Sequence, residues 1–184
     1  PPDLRADPGS LQLLVLYSLA MIAILFTGWL LDNVGITSVT PELAAKVMAL
    51  LALGFSIVMF VPPFHFWLGR AAETANPFSL AFIAVVLQSA GLFFLLRFLD
   101  SLEWLRTEPE VFTAALSVGL LMVGLGSLAA AAQASYSKML AYALIADFGV
   151  TLFAIGSNQP GALHIVLFHV GVRVVSLAAW GLGA

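Results

Sequence analysis

Cysteine is absent from the 184 residues. That excludes disulfides and every thiolate-based metal site. Charge is scarce. Charged side chains make up 9% of the chain, against about 25% in a soluble domain, so a water-exposed surface cannot be covered. A net charge of −3 leaves no basic excess to hold a phosphate backbone, and a nucleic-acid partner is excluded. No GxGxxG element, no Cys/His set with zinc spacing, no fixed-period repeat and no low-complexity tract occurs. The sequence implies no cofactor. An initiator methionine is also missing, and the last residues, Trp180 to Ala184, are still apolar. The expectation is a piece of a longer protein.

What is present is apolar residue in long blocks. Hydrophobic types account for 61% of the chain, and a membrane span needs about 20 of them in succession. Residues 1–10 read as an irregular polar lead. Six spans follow, at about 11–31, 42–62, 77–99, 111–132, 139–155 and 162–182, as one transmembrane domain over 11–184. The fold class is therefore all-α: a polytopic bundle of about six membrane-spanning helices. Thr40-Pro41-Glu42 reads as a helix start, with Thr at N-cap, Pro at N1 and an acid in the first turn. Three cations (Arg5, Arg70, Lys138) fall on one side and three (Lys46, Arg97, Arg106) on the other, so the positive-inside rule assigns no orientation.

The stretch from Pro62 to Arg97 organises the rest. It leaves one apolar block through Pro62-Pro63 and the aromatic run Phe64-His65-Phe66-Trp67, crosses a polar connection at 69–76, and re-enters at Pro77. The aromatic run is expected at the membrane–water boundary. Gln88 lies near the middle of the re-entering block.

Ionisable groups at bilayer depth carry the chemistry. One at a helix centre costs about 2.5–3.5 kcal/mol, so each needs a partner or a water path. The last block holds His164, His169 and Arg173. His169 and Arg173 stand i, i+4 and share a helix face. The block before it holds Asp147 near its middle and Lys138 at its start. Those two are nine residues apart, roughly 13 Å along the axis, and cannot serve one site directly. Asp147 paired with Arg173 across neighbouring helices is the simplest arrangement. One reading makes it a buried ion pair that fixes helix register. Another makes it part of a proton path in which His169 titrates and Arg173 stays charged. Gln88 can join such a path by hydrogen bonding or can tie helices together. His164 is placed near the boundary.

Three motifs carry a resemblance. Pro63-Phe-His-Phe-Trp-Leu68, with Asn76-Pro77 and the closing Leu-Leu-Arg97, is similar to the pattern PFHxWLPDAxxxAPxPVxA and its LLR. Lys138-Met-Leu-Ala-Tyr142 with Asp147-Phe-Gly149 is similar to KRxLAYSSIxHxG. Phe168-His169 through Arg173 is similar to NHAxFKA. In this order they resemble the antiporter-like membrane subunits of respiratory complex I (subunits L, M and N) and of multi-subunit Na+/H+ antiporters. The family's mid-membrane lysine falls here on Gln88, its lysine upstream of PFHxW near Val58, its NHAxFK lysine on Arg173, its SSIxH histidine on Asp147, and the first residue of its KR pair on Ser137. The resemblance implies a proton-translocating membrane-arm subunit of an NADH:quinone oxidoreductase, itself non-catalytic and free of redox centres. Its partners would be other membrane subunits and the bilayer, with quinone and NADH met only through those subunits. It would lie in a bacterial cytoplasmic membrane or an organellar energy-transducing inner membrane. Lys138, Asp147, His169, Arg173, Gln88 and His164 are the proton-path candidates. A non-conducting scaffold and a cation/proton antiporter subunit are the alternatives.

Overall fold

The computed structural model describes residues 8–34 and 40–183. Eight helices follow one another: α1 (Pro8–Val34), α2 (Pro41–Val58), α3 (Phe66–Thr74), α4 (Pro77–Ser101), α5 (Glu103–Thr107), α6 (Pro109–Ala131), α7 (Tyr136–Gly156) and α8 (Ala162–Gly183). Among the described residues there is no strand. Helices α1, α2, α4, α6 and α7 are long and apolar enough to cross a membrane, and α8 carries a shorter apolar stretch, Ala162–Ser176.

Helix starts follow the local chemistry. Thr40 caps α2, its Oγ1 accepting the Leu43 N–H at 3.3 Å. Asn76 caps α4, its Oδ1 accepting from Phe78 N at 2.9 Å and Ser79 N at 3.4 Å. Both caps are followed by proline, which has no N–H to leave unsatisfied at the first helical position.

Helix α7 lies against α3, α4, α6 and α8. Its closest neighbour is the antiparallel α6, and small residues set that closeness. A Cβ built on Gly119 would lie 2.5 Å from the Phe153 nitrogen, and one on Gly126 would lie 2.7 Å from the Ala146 nitrogen. From the other side, a Cβ on Gly149 would meet the Gly119 carbonyl oxygen at 2.8 Å. These are backbone atoms, so no side chain can move aside to make room. Helices α1 and α2 pack in the same antiparallel sense, with Gly54 against Ile24 and Ala20.

Four regions differ from the sequence reading. The first helix begins at Pro8, inside the stretch expected to be irregular; residues 1–7 lie outside the described residues, Arg5 among them. The connection expected at 69–76 is the short helix α3, which starts within the aromatic run. Trp67, expected in an aromatic belt, faces the bundle interior: it is 2% exposed and meets Phe60 edge-on at 4.9 Å between centroids. Phe66 remains exposed. The charged connection 100–110 contains the helical turn α5.

The chain breaks its helical run after α2. Helix α2 ends at Val58, deep in the bundle. Val61 N–H bonds the Ser56 carbonyl at 2.9 Å and Phe60 N–H the Ile57 carbonyl at 3.2 Å, the pairing of a Schellman cap. Phe60 has φ of 61°, where glycine is usual. Its ring, completely buried, holds it there against Trp67 and Tyr17. Helix ends leave carbonyls unpaired, and at bilayer depth each must find a donor. Tyr17 Oη donates to Val58 O at 3.3 Å, and Gln88 Nε2 donates to Met59 O at 3.4 Å.

Candidate functional site

The second of those donors leads to the ionisable residues. Gln88 is completely buried near the middle of α4. Its Nε2 faces the Met59 carbonyl, and its Oε1 accepts from Arg173 Nη2 at 2.7 Å. The amide orientation is thereby fixed, because a flipped side chain would set donor against donor and acceptor against acceptor.

Arg173, from the middle of α8, is 4% exposed. Its Nε forms an ion pair with Asp147 Oδ2 of α7. The guanidinium carbon sits 5.2 Å from the centroid of the Phe148 ring, a distance at which the ring face attracts a cation. Nη1 is buried with no acceptor among the described residues. The other carboxylate oxygen, Asp147 Oδ1, lies 3.1 Å from His169 Nε2. The Asp147 main-chain oxygen lies 3.3 Å from the same nitrogen. Both are acceptors, so Nε2 is the ring nitrogen that donates here.

The result is one connected polar line through an apolar bundle. It runs from His169 and Arg173 on α8, through Asp147 on α7 and Gln88 on α4, to the open carbonyl at the break in α2. Asp147 and His169 are partly exposed, at 36% and 24% of their side chains, whereas Arg173 is sealed. The i, i+4 spacing of His169 and Arg173 is what lets one carboxylate touch both.

Two of the six candidate residues stand apart. Lys138, at the start of α7, pairs with Glu73 of α3 at 2.7 Å. Beside this pair Tyr142 packs over Gly69 and against the His65 ring, 6.0 Å away at 69°. His65 lies outside the membrane-spanning helices, and burial holds its pKa below the ordinary histidine value. His164 is exposed in the first turn of α8, one end of the bundle away from Asp147. Lys46, also exposed, pairs with Glu42 at 2.7 Å.

Sequence reasoning did not find Glu73, Tyr17 or the Met59 carbonyl. Glu73 gives no local signal, being 65 positions from Lys138. The Met59 carbonyl is a consequence of the helix ending at Val58, a turn before the Pro62-Pro63 at which the sequence reading ends the block.

A family model described as NADH:quinone oxidoreductase/Mrp antiporter, TM, matches residues 9–180. The chain is 31% identical over 183 residues to an NADH-quinone oxidoreductase subunit N of Pelobacter propionicus, covering 93% of this chain and 38% of that protein. It is 30% identical over 158 residues to a chloroplastic NAD(P)H-quinone oxidoreductase subunit 5 of Nandina domestica, covering 86% of this chain and 20% of that one. A subunit N 2 of Acidobacterium capsulatum is 29% identical, with 82% and 33% covered. The chain thus spans well under half the length of these relatives. No solved structure matches it. A match over nearly all of its length, on a bundle of apolar helices, makes it an integral membrane protein that belongs to the transmembrane family of NADH:quinone oxidoreductase and Mrp antiporter subunits.

Proposed function

We propose that this chain is the proton-handling part of a membrane-arm subunit in an energy-transducing membrane. It would couple electron transfer from NADH to quinone, carried out by other subunits, to proton translocation. The observation that supports this reading most directly is the polar line at mid-bundle, His169–Asp147–Arg173–Gln88. Charged and titratable groups placed so deep are costly and mark ion pathways.

Each residue has a distinct part. Arg173 stays charged and ion-pairs with the Asp147 carboxylate. That carboxylate accepts from His169 Nε2, which keeps the ring oriented and leaves Nδ1 to load and release a proton. Gln88 passes no net charge but fixes the guanidinium against the α2 break. Lys138 with Glu73 stands at the N-terminal end of α7, where it can exchange protons with the surface.

A scaffold reading is favoured by two features. Arg173 does not titrate in a protein, and Gln88 does not ionise. The two readings separate on His169→Ala in the assembled complex, reconstituted in vesicles. Conduction predicts reduced quinone-linked proton uptake with assembly intact. Unaltered uptake refutes the relay and leaves the scaffold. A cation/proton antiporter subunit would instead show ion exchange without quinone.

A further inference from the structure

One carboxylate serves two partners at mid-bundle. Arginine and a carboxylate frequently join through two parallel contacts, two nitrogens to two oxygens. Here the ion pair runs from Arg173 Nε to Asp147 Oδ2, and Oδ1 lies 3.1 Å from His169 Nε2. The nitrogen that would complete a two-contact grip beside Nε is Nη2, and it donates to Gln88 Oε1 at 2.7 Å. A guanidinium turned to grip both oxygens would take Oδ1 from His169. The bond to Gln88 is a single pivot, and Nη1 has no acceptor among the described residues. The guanidinium therefore needs a further hold. The ring of Phe148 supplies one, its centroid 5.2 Å from the guanidinium carbon. That ring is completely buried, and the arginine side chain is 2% exposed, so the attraction acts where it is strongest, away from water. Phe148 directly follows Asp147, and successive helical residues point about 100° apart. Helix α7 thus approaches one cation from two directions, with a carboxylate and with a ring face.

We propose that Phe148 is a positioning residue: its ring face holds the Arg173 guanidinium so that Asp147 keeps Oδ1 for His169. Its consequence for function rests on the proton-path reading, in which His169 is the group that loads and releases the proton. A buried phenylalanine also fills space, and the two roles depend on different properties of the ring. Packing depends on its shape, which another apolar side chain can approximate. Attraction for a cation depends on the negative potential of its face. Fluorine on the ring withdraws that potential and leaves the shape nearly unchanged.

The test places phenylalanine carrying one, two or three ring fluorines at position 148 of the full chain, in lipid vesicles, with isotope-labelled histidine rings read by solid-state NMR. The chain has three histidines, and the His169 signal is the one that His169→Ala removes. Its shift reports whether Nε2–H is bonded to a carboxylate. The ratio of bonded to unbonded His169 should fall stepwise with each fluorine, by about tenfold at three, the equivalent of about 1.4 kcal/mol. Phe148→Leu, which has no ring face, should show the same loss as the trifluorinated ring. A ratio that ignores fluorination but falls in Phe148→Leu makes the residue a packing group and overturns the proposal, as does a ratio unmoved by all four replacements. Quinone-linked proton uptake by the assembled complex with the same replacements reads the proton path separately. A stepwise NMR response with unaltered uptake upholds the positioning role and refutes the relay, so the two failures are distinguishable.

Discussion

Replacing Asp147 by Asn leaves the Arg173 charge buried beside an uncharged amide. Breaking a buried ion pair on one side costs about 3–5 kcal/mol. Here the arginine side chain is 2% exposed and the aspartate 36%, so solvent at the carboxylate reduces its share. The expected loss is about 2–3 kcal/mol. The second replacement, Arg173→Gln, removes the stranded charge and restores an amide that Gln88 can meet. The double variant should therefore be more stable than Asp147→Asn alone, with a coupling of at least about 1 kcal/mol for groups in direct contact. Reversible unfolding of the four proteins in mixed micelles, with rising anionic detergent, gives the cycle. If the single losses sum to the double within about 0.5 kcal/mol, the two side chains do not interact, and the polar line is not a unit.

Other outcomes follow from the same geometry. Gln88→Leu keeps the volume but orphans Arg173 Nη2 and the Met59 carbonyl; the same titration should read a loss of about 1–3 kcal/mol. Gly119→Ala sets a methyl against the α7 backbone and should cost about 1–3 kcal/mol. Gly124→Ala, with nothing within 4 Å of its Cβ, should instead gain about 0.4–1 kcal/mol, so thermal unfolding of the two variants moves in opposite directions. His65 binds a proton less readily folded than unfolded. Its contribution is intact above the ordinary histidine pKa, about 6.5, and falls away as pH drops through that value toward the lower folded one. Stability measured across that window should flatten in His65→Gln. Lys138→Ala breaks a partly exposed pair and should cost no more than about 1 kcal/mol.

Helix starts were legible because they are local. Thr40-Pro41 and Asn76-Pro77 carry their caps within three residues, and the structure opens α2 and α4 there. The Asp147–Arg173 contact was legible for a different reason: two opposite charges stranded in apolar helices joined by a short turn have few other partners. What escaped depends on distant packing. Phe60 adopts a backbone conformation that its own side chain disfavours, and only the ring contacts with Trp67 and Tyr17 account for it. Trp67 reads by type as a residue that faces the membrane–water boundary, but α3 turns its ring into the bundle. The polar stretch after it is helical because its apolar residues, Leu68, Ala71 and Ala72, are buried on one face.

The early end of α2 has an electrostatic consequence. Peptide dipoles aligned along a helix leave about half a negative charge at its carboxyl end, ordinarily spent in water. Here that end stops inside the bundle, and Gln88 bridges it to the guanidinium of Arg173. The cation thus sits between a full negative charge on α7 and a fractional one on α2, and any motion that straightened or shortened α2 would change the field it feels without touching a titratable group.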